Sequence, residues 1–217
     1  MANPINPASY IEHSLLDNTA TPAQIEKLCA EADRLGFAAV CIYPDQVKRA
    51  VEYLYRKTPK VCTVIGFPTG AHASSTKLYE AQLAVEQGAS ELDLVISIGS
   101  LKAGDHNLVH REVAEICQAT AVPVKTILEM GLLTQPEQEL AAEICLDAGA
   151  SYLKTHTGWR GVVAIADVEL LSAIAKGRVG IKAAGGIRTL AQAQDLITGG
   201  ATRLGTSRGL EIMAELG

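Results

Sequence analysis

No stretch of this chain is apolar for long enough to cross a bilayer, so a membrane partner is not expected. The opening Met1-Ala2-Asn3-Pro4 has neither the basic nor the apolar region of a secretory leader, and the expected location is the cytoplasm. There is no basic patch and no charge run. The formal net charge is -5, which argues against nucleic acid as the main partner. The five cysteines, at 29, 41, 62, 117 and 145, are odd in number and include no C-x-x-C pair, so neither a disulfide framework nor a zinc motif is indicated. Cys29, Cys117 and Cys145 fall on apolar helix faces and read as small buried hydrophobes. Low-complexity tracts and linkers are also missing. What remains is 217 residues, nearly half of them apolar and a fifth charged, the proportions of one ordinary globular domain spanning 1–217.

Strand-like and helix-like segments alternate along the whole chain. Strands are expected at 9–13, 38–43, 60–66, 91–98, 122–128, 151–155, 179–183 and 202–205. Helices are expected at 22–35, 45–56, 75–87, 107–119, 136–148, 166–176, 190–198 and 209–215. Thr21-Pro22-Ala23-Gln24 and Thr134-Gln135-Pro136-Glu137 have the residues of a capping box with proline in the first turn, and Thr189 with Gln192 opens a third helix. Gly36 supplies a left-handed stop, and Gly88-Ala89, Gly149-Ala150 and Gly200-Ala201 each end a helix ahead of a strand. The strands are short and apolar on both faces, as a parallel sheet covered by helices requires. Eight such units favour a closed (β/α)8 TIM barrel. The alternative, an open doubly wound sheet, would usually carry a glycine-rich first turn, and Ser14-Leu15-Leu16-Asp17-Asn18 has none.

Four of these strands carry charge among apolar neighbours: Asp93, Lys125, Lys154 and Lys182. A buried ammonium is costly unless it is paired or loses its proton, and an uncharged lysine attacks carbonyl carbon. In a barrel the C-terminal ends of the strands form the active face, where Lys154 and Lys182 would stand side by side. Each would then depress the other's pKa, with few acids facing them; a structural ion-pair network is the competing account. Glu91 and Asp93 share one face of their strand and both can point inward.

The loops after the seventh and eighth strands, Gly185-Gly186-Ile187-Arg188 and Gly205-Thr206-Ser207-Arg208-Gly209, suit a phosphate held by backbone N–H groups. His13 and His72 are expected to line the active face, and Trp159 to form either a pocket wall or packing. His106 and His110 have metal-ligand spacing, but Asn107 stands where a zinc protease needs glutamate and no third ligand is apparent, so no metal is expected.

At these residues the chain resembles the deoxyribose-phosphate aldolase family, nearly end to end. Carrying stretches include Val61-Cys62-Thr63-Val64-Ile65-Gly66-Phe67-Pro68-Thr69-Gly70-Ala71, Glu91-Leu92-Asp93, Val124-Lys125-Thr126-Ile127-Leu128-Glu129, Leu153-Lys154-Thr155 and Ile181-Lys182-Ala183-Ala184-Gly185-Gly186-Ile187-Arg188. The resemblance implies a Schiff base on Lys154, proton transfer by Asp93 and a pKa-lowering role for Lys182, supported by Lys125, Cys41 and Thr155. It implies phosphate contacts at Gly158, Gly185, Gly186, Gly205 and Ser207. The implied reaction is reversible cleavage of 2-deoxy-D-ribose 5-phosphate to D-glyceraldehyde 3-phosphate and acetaldehyde, with no metal and no other cofactor. The partners are then a phosphorylated sugar and an aldehyde, and a homodimer is the expected assembly. The chain departs from the family's pattern at His156, Trp159, Arg160, Arg208 and Asp17, and it has no tyrosine after Tyr152. The other readings are a lysine-dependent barrel aldolase with a different sugar, or a barrel that binds sugar phosphates without catalysis.

Overall fold

Eight parallel strands close on themselves in sequence order: β1 (Ile11–Leu15), β2 (Ala39–Ile42), β3 (Lys60–Ile65), β4 (Glu91–Val95), β5 (Val124–Ile127), β6 (Tyr152–Lys154), β7 (Gly180–Ala184) and β8 (Arg203–Thr206). Pairing of Ile11 with Leu204 and His13 with Thr206 joins the last strand to the first, leaving no sheet edge. The structure is a computed structural model that describes residues 5–216. Met1–Pro4, from which the lack of a leader was read, and Gly217 lie outside the described residues.

Among the described residues, the surrounding helices are α1 (Pro22–Leu35), α2 (Val47–Tyr53), α3 (Ser74–Glu86), α4 (Ile98–Lys102), α5 (His106–Thr120), α6 (Gln135–Asp147), α7 (Ile165–Ala175), α8 (Leu190–Thr198) and α9 (Gly209–Ala214). All three expected capping boxes form. Gln24 Oε1 accepts from the Thr21 N–H at 2.8 Å, Glu137 Oε2 from the Thr134 N–H at 2.7 Å, and Gln192 Oε1 from the Thr189 N–H at 3.2 Å. Gly36, at φ 68°, closes α1 by donating to Ala32 and Asp33.

The structure differs from the expectation at several boundaries. β1 begins at Ile11, because Ala8–Tyr10 is a 3-10 turn. The strand expected to run to 98 ends at Val95; its apolar sequence continues into the short helix α4, which periodicity did not separate from it. The helix expected over 45–56 is a 3-10 turn at Pro44–Gln46 followed by α2, and Arg56 takes a left-handed φ of 61° where no glycine is available.

Strand alternation sorts the side chains into two apolar populations. Val40, Ile42, Val61 and Ile65 join the large core between barrel and helices, where each buried aliphatic side chain contributes about 1.5–3 kcal/mol. Cys41, Cys62 and Val64 form a small separate cluster inside the barrel. Most of the remaining interior at this level is charged, with Tyr152 packed under the Lys125 ammonium.

Candidate active site

Register places the charged residues. Asp93 on β4 pairs with Lys125 on β5, and Lys154 on β6 pairs with Lys182 on β7. Side chains of paired residues in a parallel sheet leave on the same face, so all four project into the barrel.

Asp93 is the hub. Its Oδ2 accepts from Lys154 Nζ at 2.7 Å and from Lys182 Nζ at 2.7 Å, and its Oδ1 lies 3.2 Å from Lys125 Nζ. The Lys154 and Lys182 nitrogens are therefore separated by no more than twice the first length. Glu12 on β1 takes a short hydrogen bond from Lys182 and lies 3.4 Å from Lys125. Glu91 reaches Lys125 at 2.7 Å. Arg203 on β8 lies 3.7 Å from Glu12 and 3.5 Å from Glu91. Four cations thus face three carboxylates.

The expectation of few facing acids is corrected here. Glu12, inside the expected first strand but not recognised as an interior charge, lies at the centre of the network with Arg203. The expectation that Lys182 is itself depressed by its neighbour is corrected as well. Burial works against its charge, but Asp93 and Glu12 outweigh it and hold the Lys182 ammonium well above the ordinary lysine range. Lys125 is raised in the same way, burial being outweighed by Asp93, Cys62, Glu12 and Glu91. For Asp93, burial would raise the pKa, yet Lys125, Lys154 and Lys182 hold it well below the usual carboxylate range. The network is also structural, as the competing account proposed.

Lys154 is the member of this network that reaches the cavity at the barrel mouth. It lines a cavity of about 460 Å3 together with Gly158, Gly185, Gly186, Gly205 and Ser207. Lys125 and Lys182 lie beneath it, fully buried. Two of these glycines show why no side chain is tolerated at their positions. A Cβ at Gly185, whose φ is 113°, would come within 2.6 Å of the Gly161 carbonyl oxygen, and one at Gly186, φ 70°, within 2.9 Å of Val162. The glycine loops are tied together by Thr206, whose hydroxyl donates to the Ile187 carbonyl at 2.7 Å and accepts from the Arg208 N–H at 2.9 Å. Arg188 and Arg208 stand on the same wall, and Arg208 also pairs with Glu211 at 2.7 Å.

Thr155 does not line the cavity. Its hydroxyl donates to the Ala184 carbonyl and accepts the Ala184 N–H, both at 3.1 Å, and so joins β6 to β7 below the glycines. Cys41 Sγ lies 3.9 Å from Asp93 Oδ2. Glu129, buried at a left-handed φ of 50°, accepts from the N–H and hydroxyl of Thr157 and sets the loop that carries Gly158 and Trp159. Trp159 is a cavity wall, 57% exposed and edge-on to Phe67 at 6.1 Å.

The histidine expectations need correction. His13 points out of the barrel, 3.2 Å from Glu31 of α1 and against Phe37. His72 is exposed and outside the cavity lining. His110 pairs with Asp147 at 3.0 Å, on the outside of the protein. Inside the barrel, donor atoms of Glu12, Cys41, Cys62 and Asp93 lie within 4.8 Å of one another. The two carboxylates there already accept from lysine ammoniums, which a cation would have to displace.

The family model for DeoC/LacD family aldolases matches residues 10–215. A deoxyribose-phosphate aldolase from a Cyanothece species is 62% identical over 209 residues, covering 96% of this chain and 92% of its own. One from Thermosynechococcus vestitus is 59% identical, covering 95% of each. Among solved structures, the aldolase QR15 matches with a TM-score of 0.93 at 39% identity, over 97% of this chain and 96% of its own. The tetrameric deoxyribose phosphate aldolase from Aeropyrum pernix matches with a TM-score of 0.89 at 32% identity, over 95% and 89%. The chain belongs to the DeoC/LacD family of aldolases.

Proposed function

We propose that this DeoC/LacD family member reversibly cleaves 2-deoxy-D-ribose 5-phosphate to D-glyceraldehyde 3-phosphate and acetaldehyde, through a Schiff base on Lys154. One observation carries the reading: Lys154 is the lysine of the interior network that faces the glycine-walled cavity, and it touches both Asp93 and, through it, Lys182.

The amine must be free of its proton to attack. With four cations against three carboxylates, loss of one proton leaves the network neutral. Lys154 has a single carboxylate contact and shares it with Lys182, whereas Lys125 has three. Asp93 Oδ2, at hydrogen-bond distance from the amine, receives that proton and passes it to water. The uncharged nitrogen adds to C1 of the open-chain sugar, and the carbinolamine loses water to give an iminium. The C3 hydroxyl then loses its proton, the C2–C3 bond breaks, and its electron pair moves into the iminium to form an enamine. D-Glyceraldehyde 3-phosphate leaves. Protonation of the enamine carbon and hydrolysis release acetaldehyde and return the amine. The N–H groups of Gly185, Gly186, Gly205 and Ser207, with Gly158 opposite, hold the 5-phosphate, and Arg188 and Arg208 add charge to that wall.

The reading covers 1–217 as one aldolase domain. It includes a cytoplasmic setting, which the five unpaired thiols suit, and a homodimeric assembly. Borohydride added with acetaldehyde should trap a single N-ethyl group, and a peptide map should place it on Lys154. An adduct on another lysine refutes the mechanism. Full trapping with no turnover of the phosphorylated deoxysugar, followed by activity on another sugar in a substrate panel, moves the reading to a different substrate.

A further inference from the structure

We propose that Cys41 and Cys62 form a reversible oxidation site, in which a hydroperoxide converts the two thiols to an internal disulfide and shuts down the amine at Lys154. The two are register partners on β2 and β3, and both side chains belong to the cluster inside the barrel. Their sulfurs lie within 4.8 Å of each other, and both residues are buried. The other three cysteines sit on α1, α5 and α6, outside the barrel.

Both thiols belong to the Asp93 hub. Cys62 Sγ donates to Asp93 Oδ1 at 3.2 Å and accepts from Lys125 Nζ at 3.3 Å. Cys41 Sγ faces Asp93 Oδ2, the oxygen that binds Lys154. The Cys62 S–H, when it turns from Asp93 toward Cys41, together with the ammoniums of Lys182 and Lys154, holds the Cys41 thiol below its ordinary pKa, which makes it the attacking sulfur. Neither thiol lines the cavity, so a peroxide, hardly larger than water, must pass Lys154 to reach them, and the oxidation is expected to be slow.

The Cys41 thiolate attacks a peroxide oxygen, the O–O bond breaks and a sulfenic acid forms with loss of hydroxide. The Cys62 sulfur attacks that sulfenic sulfur, the S–O bond breaks, and the thiol proton leaves with the oxygen as water. Two thiols and one hydrogen peroxide give one disulfide and two waters. Adjacent strands lie about 4.8 Å apart, while a relaxed disulfide brings its Cβ atoms to about 3.8 Å. The bond is therefore strained and readily reduced, which suits a switch rather than a staple. Once it forms, Asp93 has lost both thiol donors and relies on the lysines alone, so Lys154 is held in its ion pair.

The formation of the bond does not depend on which sugar is cleaved; the loss of amine reactivity rests on the Schiff-base reading. Full-length enzyme is treated with hydrogen peroxide, and intact mass, peptide map and borohydride trapping with acetaldehyde are read before and after dithiothreitol. The expected result is loss of two hydrogens, a crosslink between Cys41 and Cys62, and trapping that falls by about tenfold, the value of one hydrogen bond to a charged group. Reduction restores it. Cys62→Ala and Cys62→Ser, each compared with its own untreated sample, should keep their trapping. Oxygen added to single sulfurs without a crosslink overturns the proposal, as does a crosslink without loss of trapping, or equal inactivation of the Cys62 variants. If the reduced wild type traps nothing, the aldolase mechanism fails, while the peptide map still decides the crosslink.

Discussion

Lys182→Leu tests whether the charge balance of the barrel interior sets the working pH. The substitution removes an ammonium that touches Glu12 and lies 2.7 Å from the oxygen Lys154 uses. The network changes from four cations against three carboxylates to three against three. Two unit charges about 5 Å apart at an effective dielectric of about 20 repel by about 3 kcal/mol, or about two pH units. The acid limb of the kcat/KM profile should therefore move upward by about two pH units, with activity below the wild-type limb down about a hundredfold and largely recovered in alkali. Lys182→Arg keeps the charge, so its limb should stay near the wild-type position even if geometry lowers the plateau. The fold should survive, because Glu12 and Asp93 keep Lys125, Lys154 and Arg203 as partners. The assay is a pH–rate profile for each variant beside a thermal melt. A leucine variant with a lowered plateau and an unmoved acid limb refutes the charge argument, and an unchanged profile removes Lys182 from the mechanism.

Four further outcomes are expected. Trp159 is the chain's single tryptophan and lines the cavity, so its emission should change on titration with D-glyceraldehyde 3-phosphate; calorimetric binding with no optical change would show that the sugar phosphate sits elsewhere. Gly186→Ala forces a side chain into a φ of 70° against Val162, at a cost of about 1–3 kcal/mol. It should raise KM for the phosphorylated sugar by about tenfold or more while sparing unphosphorylated deoxyribose, and an equal effect on both would separate this loop from phosphate binding. Lys77, buried on α3, donates to Glu112 at 2.8 Å and to the Val95 carbonyl at 2.9 Å, so Lys77→Met should cost about 3–5 kcal/mol by denaturant unfolding, and adding Glu112→Leu should return part of it. Asp93 and Glu12 have lowered folded pKa values; their contribution to stability is complete above the ordinary carboxylate range, about pH 4, and drains as pH falls through the lower folded values. Lys125 and Lys182, raised when folded, contribute fully below about pH 10.4 and lose that contribution as pH climbs through the folded values. A denaturation midpoint that fell steeply between about pH 5 and 7 would contradict both assignments.

Local chemistry made the helices legible. A capping box or a left-handed glycine is written within four residues, and α1 and α8 occupy the expected spans. The strand limits were less legible, because an apolar run does not say where a strand turns into a helix; Ile96 to Ile98 is the example, leading from β4 into α4. The lysines stood out as charge inside apolar strands. Glu12 has the same signature, but polar His13 and Ser14 beside it make the stretch read less clearly as a buried strand. Arg203 was missed because its partners, Glu12 and Glu91, come from strands that only barrel closure and register bring near it. Cys62 looked like ordinary strand filling, and its partnership with Cys41 emerges only when β2 is laid against β3.

Seven charged side chains inside one barrel are a poor way to stabilise a fold, since well-packed apolar residues of the same volume serve as well or better. The helix-facing layer of the strands is mostly apolar, with His13, Thr63 and Thr126 as buried exceptions, so this chain builds such packing over most of that face. The interior charges are also not evenly satisfied. Lys125 is surrounded by three carboxylates, Lys182 has two, and Lys154 shares one oxygen at the mouth. The least supported ion therefore sits nearest the mouth, where its desolvation costs least. Here that ion stands where an aldehyde arrives, and the better-supported lysines below it keep the surrounding charge in place when it gives up its proton.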